Sequence, residues 1–398
     1  MSGAATAGGE APARVLVVDD NELNRDLLSR RVRRLGHEVE MAVDGRDALA
    51  RVAAEPFDLV LLDIMMPELN GYEVLERLKA DDALRHVPVI MISAVDDMAS
   101  VIRCIGLGAE DYLSKPFDPV LLKARVGASL ARKRLHDREA RYARSLEREL
   151  EIGRDIQRGF LPASLPTPDG WEVAAVFRPA RQVAGDFYDV FALPGGAIML
   201  VVADVCDKGV GAALFMALFR SLFRAVATAD DGAPDAVDAL DTGEARLRRA
   251  LQVTNDYIAR THGDANMFAT LFAAALDPAT GRVAWANGGH EPPAILGPGG
   301  VRARLAPTGP AVGMLPELPF GVERAELAAG ETLVAFTDGV TECRDAEGGF
   351  LDPAAADALL APAGSAAALL ARMSDCVTSH AGGGELWDDV TALAVRRL

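Results

Sequence analysis

The chain has 398 residues, half of them apolar and a quarter charged, and carries a net charge of −17 at neutral pH. That balance argues against a nucleic-acid or anionic-membrane surface, since both need clustered lysine and arginine, and the length allows two or three domains. The four cysteines lie far apart, without CxxC or zinc-ligand spacing, and the six histidines form no HxxxH pair, so free thiols in a reducing, cytoplasmic setting are expected.

The opening MSGAATAGGEAPAR is a small-residue tail without the apolar segment of a signal peptide. No apolar stretch is expected to reach the ~18–20 residues of a bilayer span. A first domain is read over 12–130. RVLVV (14–18), DLVLL (58–62) and VPVIMIS (87–93) are continuous apolar runs, as in parallel strands covered on both faces. NRDLLSRRVRRLG and GYEVLERLKA between them have helical spacing, with Gly36 as a C-cap. Alternating strand and helix gives a doubly wound α/β sheet, whose sites lie at the carboxyl ends of its strands. Those ends carry Asp19-Asp20, Asp63, Ser93 and Lys115. Carboxylates gathered at one edge repel by ~4 kcal/mol per pair at an effective dielectric near 20. A hard cation such as Mg²⁺ removes that penalty, and a hydroxyl and a lysine beside it could bind a phosphoryl group.

With LLDIMMPELNGYEVL and DYLSKPF in the same order, the whole span 14–130 resembles the response-regulator receiver domain, a flavodoxin-like fold. The resemblance implies Asp63 as phosphoacceptor from a histidine kinase. It also implies Asp19, Asp20, Asp63 and the Met65 carbonyl around Mg²⁺, Ser93 and Lys115 on the acylphosphate, and Tyr112 as the aromatic switch. His37 and His86 lie away from these positions and are read as surface residues.

Residues 119–160 read as a densely charged helical linker without proline between Pro119 and Pro162. Leu121, Ala128, Leu135 and Tyr142 fall at heptad spacing, Glu149 interrupts the series and Ile156 rejoins it. A solvated linker helix and a parallel dimeric coiled coil both fit.

The remainder, 161–398, reads as strands in series: WEVAAVFRP, AIMLVVAD, ATLFAAAL, RVAWAN and TLVAFTD, separated by turns such as DPATG. Helices are expected over 213–226, largely buried behind its leucine and phenylalanine rows, and over 245–260. The acidic 228–244 is read as an exposed loop and the Ala-rich 353–373 as a surface helix. This pattern suggests an antiparallel α+β domain. Its strand-end acids are Asp186 and Asp189 in GDFYDVF, Asp204 in VVADVCDKG, Asp338 in FTDGVTE, and Asp388 and Asp389 in LWDDVTALAV. Carboxylates without histidine or cysteine ligands select Mg²⁺ or Mn²⁺, and two such ions sharing a water suit phosphoryl hydrolysis. Neither HCxxxxxR nor GxSxG occurs.

EIGRDIQRGFLP, RPARQVAGDFYD, VADVCDKGVGAALFMA, NGGHEPP, AFTDGVTE and WDDVTALAVR make 148–398 resemble the PP2C-like serine/threonine phosphatases, in the branch of SpoIIE- and RsbU-type enzymes. That resemblance implies a β-sandwich flanked by helices. Asp186, Asp204, Asp338 and one of Asp388 and Asp389 (Asp388 preferred) would be metal ligands, with the Val205 carbonyl completing the shell. Gln182 and Ala184 stand where the branch carries Glu and Gly, and Cys206-Asp207 replaces Ser-Gly. Cys206 is read as a buried inert thiol and His290 as packed in a hairpin. The two resemblances together imply a receiver-controlled phosphatase, homodimeric through receiver and linker, whose substrate is a phosphorylated STAS-type anti-sigma-factor antagonist. A catalytically silent binding module and a transcriptional regulator are the alternatives.

Overall fold

The structure, a computed structural model, describes residues 11–94, 98–229, 238–384 and 386–398. It divides into two compact units, 1–146 and 147–398. The tail at 1–10 and the acidic stretch 230–237 lie outside the described residues.

In the first unit the chain runs β1 (Arg14–Val18), α1 (Glu22–Arg34), β2 (Glu38–Ala42), α2 (Gly45–Ala54), β3 (Leu59–Asp63), α3 (Gly71–Ala80), β4 (Val89–Ser93), α4 (Met98–Gly106), β5 (Asp111–Ser114) and α5 (Pro119–Phe160), whose last turns belong to the second unit. The strands form one parallel sheet in the order β2-β1-β3-β4-β5, the flavodoxin-like arrangement. Asn21, Asp44 and Asn70 cap α1, α2 and α3 by accepting the N–H three residues on. Gly36, at φ +92°, ends α1 where a side chain would be strained. One face of the sheet packs Val15, Val17, Leu61 and Ile90 against Leu28 and Val32 of α1 and Leu122, Val126 and Leu130 of α5. The other face buries Leu16, Leu62 and Met91 under α2, α3 and α4. The face of α5 that reaches the core is therefore the i, i+4 row Leu122–Val126–Leu130. The heptad row points elsewhere: Leu121, Ala128, Leu135 and Tyr142 are all exposed, Tyr142 at 73%.

The second unit continues with β6 (Trp171–Arg178), β7 (Phe187–Ala192), β8 (Ile198–Val205), α6 (Val210–Thr228), α7 (Ala239–His262), β9 (Ala269–Leu276), β10 (Arg282–Gly288), β11 (Ala294–Gly297), β12 (Gly300–Arg304), β13 (Glu323–Glu326), β14 (Thr332–Phe336), α8 (Pro353–Leu359), α9 (Ala366–His380) and β15 (Val390–Arg397). Its strands make two antiparallel sheets, β13-β10-β9-β8-β7 and β12-β11-β14-β15-β6. Leu200, Val202 and Phe272 of the first sheet meet Leu333, Ala335 and Leu393 of the second in a central core. Alternate residues of the same strands face outward. Met199, Val201 and Ala273 pack on α6 and α7, and Val334, Ala392 and Ala394 pack on α8 and α9. Period-two strands thus serve two cores each, giving a helix-sheet-sheet-helix sandwich.

Four expectations change, the first being the acidic 228–244 read as an exposed loop: Thr228 ends α6 and the stretch enters α7 at Ala239, with Leu240 and Gly243 buried. The helix expected at 213–226 spans Val210–Thr228 and buries only one side, through Met216, Phe219 and Phe223, while Leu214 is 68% exposed. It is also long and apolar enough to cross a membrane by length and composition, contrary to the sequence reading. It nonetheless carries Arg220 and Arg224, which pair with Asp189. The Ala-rich 353–373 is no surface helix but α8 and the start of α9. Ala366, Leu369, Leu370 and Met373 are buried there because small residues let the helices sit close on the second sheet.

Two candidate carboxylate sites

The carboxyl edge of the parallel sheet collects the first site. Asp19 and Asp20 follow β1 and Asp63 ends β3, and one oxygen of each lies within 4.8 Å of the others. Asp19 and Asp63 are buried and Asp20 is exposed. Lys115, just past β5, places its Nζ 2.8 Å from Asp19 and 2.9 Å from Asp63. Burial pushes the Asp63 carboxyl up to about 6; Lys115 opposes this, and Asp19 and Asp20 add to it. Burial acts against the Lys115 ammonium, but its bonds to Asp19 and Asp63 outweigh that and leave it raised. Ser93, 2% exposed, ends β4, and its carbonyl accepts the Lys115 N–H at 2.7 Å. Tyr112 is half-buried against the cluster under α2, α3 and α4. Met65 directs its side chain outward, at 66% exposure, in the turn after Asp63. A glycine sets that turn: a Cβ on Gly71 would stand 2.2 Å from the Asp63 carbonyl oxygen, so no other residue fits. Three carboxylates facing one ammonium leave surplus negative charge among oxygen donors only, which fits a hard divalent cation.

The second site forms where the two antiparallel sheets present Asp186 before β7, Asp204 near the end of β8, Asp338 after β14 and Asp388 before β15. Asp186 is 1% exposed, and Thr337 donates its hydroxyl to it at 2.7 Å. Burial holds the Asp186 carboxyl well above the usual carboxylate range, and Asp204 and Asp389 push it further. Asp204 is pushed up to about 7, chiefly by burial and then by Asp338, against a hydrogen bond with Asp186. Asp338 is raised by burial and by Asp388. The acids are therefore electrostatically linked, Asp186 to Asp204 and Asp389, and Asp204 in turn to Asp338, Asp388 and Asp389. Among the described residues the trio of the first site alone has three carboxylates closing within 4.8 Å. A set of oxygen donors without histidine or cysteine suits hard divalent cations.

Backbone packing brings these acids together. A Cβ on Gly185 would stand 2.8 Å from the Val205 carbonyl and 3.6 Å from Asp204 Oδ1, so the absence of a side chain lets the Asp186 loop approach both. A Cβ on Gly339 would lie 1.9 Å from the Asp389 carbonyl, so the Asp-Gly of FTDG is a close crossing of two strands' ends and not merely a turn. The last acidic pair divides. Asp389 accepts Ala180 N–H at 2.7 Å and Gly185 N–H at 2.9 Å, one on each oxygen. Asp388 instead meets Lys208 Nζ at 2.7 Å, beside Asp338. Asp189 leaves the site altogether, with its carboxylate between Arg220 and Arg224 at 3.1 and 3.0 Å.

Several residues here were missed in the sequence. Thr337 is fully buried at the foot of an apolar strand, a polar residue at a core position that its position in TLVAFTD could have flagged. Lys208 had no signal beyond its place after Asp204. Gln157, 5% exposed on the last turns of α5, donates to the Ala184 carbonyl at 2.7 Å and accepts its N–H at 3.0 Å, two residues before Asp186. Ala184, noted as a departure, is thus a docking point that uses main-chain atoms. Cys206 is half-buried, its sulfur accepting the Phe268 N–H at 3.2 Å, with its thiol pushed up by burial. His290 is buried, bonded to Thr270 at 3.0 Å and held by Asn287, and burial lowers it to about 4.

Family models match both parts: residues 194–398 match "Stage II sporulation protein E (SpoIIE)" and residues 15–127 match "Response regulator receiver domain". Protein IcfG of Synechocystis sp. is 41% identical over 271 residues, 63% of this chain and 41% of that protein. Response regulator PleD of Caulobacter vibrioides is 42% identical over 140 residues, 35% of this chain and 31% of its own length. The matches thus span less than half of these relatives. Among solved structures, the SiaA-PP2C domain of Pseudomonas aeruginosa superimposes with a TM-score of 0.48 at 21% identity, covering 64% of this chain and 98% of that one. The RsbU and RsbW domains of Rv1364c from Mycobacterium tuberculosis give 0.44 at 26% identity, covering 59% and 63%.

Proposed function

The chain belongs to the SpoIIE family and carries a response-regulator receiver domain, and from that premise we propose that it is a cytoplasmic, metal-dependent phosphoserine/phosphothreonine protein phosphatase controlled by phosphorylation of Asp63. The observation that carries the reading is the gathering of Asp186, Asp204, Asp338 and Asp388 into one electrostatically linked set of oxygen donors, with Lys208 as the charge-compensating group on Asp388.

In this reading Asp186, Asp204, Asp338 and Asp388 hold two Mn²⁺ or Mg²⁺ ions with the Val205 carbonyl. Asp389, its oxygens engaged by Ala180 and Gly185, positions the Asp186 loop instead of ligating. When bound, such ions would supply Lewis-acid chemistry, lowering the pKa of a water and polarising a phosphoryl group. Thr337 orients Asp186 through its hydroxyl, and Lys208, 37% exposed, would meet phosphoryl oxygens and offset their charge. In the receiver, Asp19, Asp20 and the Met65 carbonyl hold Mg²⁺, Asp63 accepts the phosphoryl group from a histidine kinase, Lys115 and Ser93 bind it, and Tyr112 responds. The exposed row Leu121, Ala128, Leu135 and Tyr142 supports a parallel pairing of α5 between two copies, with Gln157 passing the state of the helix to the Asp186 loop. A roughly hundredfold activation needs only ~2.7 kcal/mol of differential stabilisation. The substrate we infer is a phosphorylated STAS-type anti-sigma-factor antagonist in a partner-switching stress pathway.

The test is phosphate release from such a phosphoprotein in Mn²⁺, by wild type and Asp338→Asn, with and without beryllofluoride at Asp63. Release that vanishes in the variant and changes with beryllofluoride supports the reading. Equal release from wild type and variant refutes the catalytic part. Binding of the antagonist without release would favour a sequestering module.

A further inference from the structure

The first unit contains a cavity of about 590 Å³ at the edge of its sheet opposite the carboxylate site, between the chain segments that precede β4 and β5 and the α5 stretch 129–144. Its size is that of a small-molecule site. Five lysines and arginines line it against three acids, in a chain whose overall charge is −17. The acids are already matched: Asp82 by Arg85 at 3.2 Å, Asp137 by Lys133 at 2.6 Å, and Glu110 by Arg132. Lys79 and Arg144 pair with no carboxylate among the ion pairs of the described residues. Lys79 is half-buried and spends two of its three N–H donors on the Arg85 and Val87 carbonyls, at 2.9 and 2.8 Å. Five cations thus share three acids, and Lys79 is met only through space by Glu110, which Arg132 already engages, so the concavity keeps a net positive charge.

Two imidazoles complete the wall. His86, read in the sequence as a plain surface residue, and His136 of α5 face each other with ring centroids 6.4 Å apart and planes inclined by 29°. A planar ring stacked between two others needs ~7 Å at contact distances near 3.5 Å on each face, so the two imidazoles must part slightly to admit one. A cavity with unmatched cations beside a pair of facing rings has the two elements of nucleotide recognition, a stacking slot and a phosphate subsite.

We propose that this cavity binds a nucleotide, its base between His86 and His136 and its phosphates on Lys79 and Arg144. Because His136 and Arg144 belong to α5 and His86 and Lys79 to the sheet domain, an occupant would fasten the helix to the body of that unit along 129–144.

The experiment is calorimetric titration of the full chain, without divalent metal, using AMP, GMP and ATP, with ribose 5-phosphate and inorganic phosphate as ring-free probes. Saturable one-to-one binding of at least one nucleotide is expected, with ribose 5-phosphate at least about tenfold weaker and His136→Ala losing a similar factor, the worth of one stacking face. Arg144→Ala should weaken ATP more than AMP. Phosphorylation of Asp63 by acetyl phosphate, which uses other residues, should be unchanged in both variants and reports that the domain is folded. No saturation at millimolar nucleotide overturns the proposal, as does ribose 5-phosphate binding as tightly as every nucleotide, or nucleotide affinity unchanged in His136→Ala.

Discussion

Replacing Asp204 by asparagine should make the metal-free second unit more stable at pH 7.5 while removing its response to manganese. In the fold the Asp204 carboxyl titrates at about 7, far above its ordinary 3.8, because it is buried beside Asp338 and other acids. The protonated form is therefore the one the fold tolerates. The stability this group contributes is fully present below about pH 4 and is lost as the pH rises through about 7. Ionising it in the fold costs ~4 kcal/mol at most. Because it shares its burden with Asp186, Asp204→Asn should recover ~2–4 kcal/mol at pH 7.5 and much less at pH 5. Urea unfolding in EDTA measures this, with a midpoint increase on the order of 1 M expected at the higher pH. All three tryptophans, Trp171, Trp285 and Trp387, lie in the second unit, so their fluorescence follows that transition. Mn²⁺ should raise the wild-type midpoint strongly at pH 7.5 and the variant's little. If Asp204→Asn is destabilised by the same amount at both pH values in EDTA, repulsion among these acids does not govern the site and the two-ion reading loses its basis.

Three further outcomes are expected. Burial sets the Asp63 carboxyl near 6 in the metal-free fold, so in EDTA one carbon-13 carboxyl resonance, absent from Asp63→Asn, should titrate near pH 6; an Asp63 resonance already fully titrated by pH 5 would contradict this. Gly339→Ala puts a methyl 1.9 Å from the Asp389 carbonyl and should cost several kcal/mol, on the order of 3 or more, read as a lowered unfolding temperature; a neutral effect would mean that the crossing of these loops is not tight. Gln157→Ala leaves both main-chain groups of Ala184 unpaired, a loss of ~2–4 kcal/mol, and should weaken manganese activation of phosphatase turnover; an unchanged metal titration curve would separate the helix from the site.

Much of this architecture was legible in one dimension because its signals are local. Continuous apolar runs ending in acids follow from strands covered on both faces, and Asp19, Asp20, Asp63 and Lys115 meet because a parallel sheet brings all its carboxyl ends to one edge. The strands in series over 161–398 suggest an antiparallel α+β domain, whereas their closing into a two-sheet sandwich, in which each residue parity has its own core, is decided by the tertiary structure. What pattern alone left open was which groups face which. The division of labour between Asp388 and Asp389 depends on where Ala180, Gly185 and Lys208 arrive from distant segments. Asp189 looked like its neighbours until α6 supplied two arginines. Gln157 carries no distinctive local signature and Thr337 only that of a polar residue at a core position, and the importance of both lies in partners roughly 30 and 150 residues away. Local periodicity decides which elements form and which way they turn. Long-range hydrogen bonding and charge compensation, set only when the sheets close on each other, decide which carboxylates remain available for chemistry.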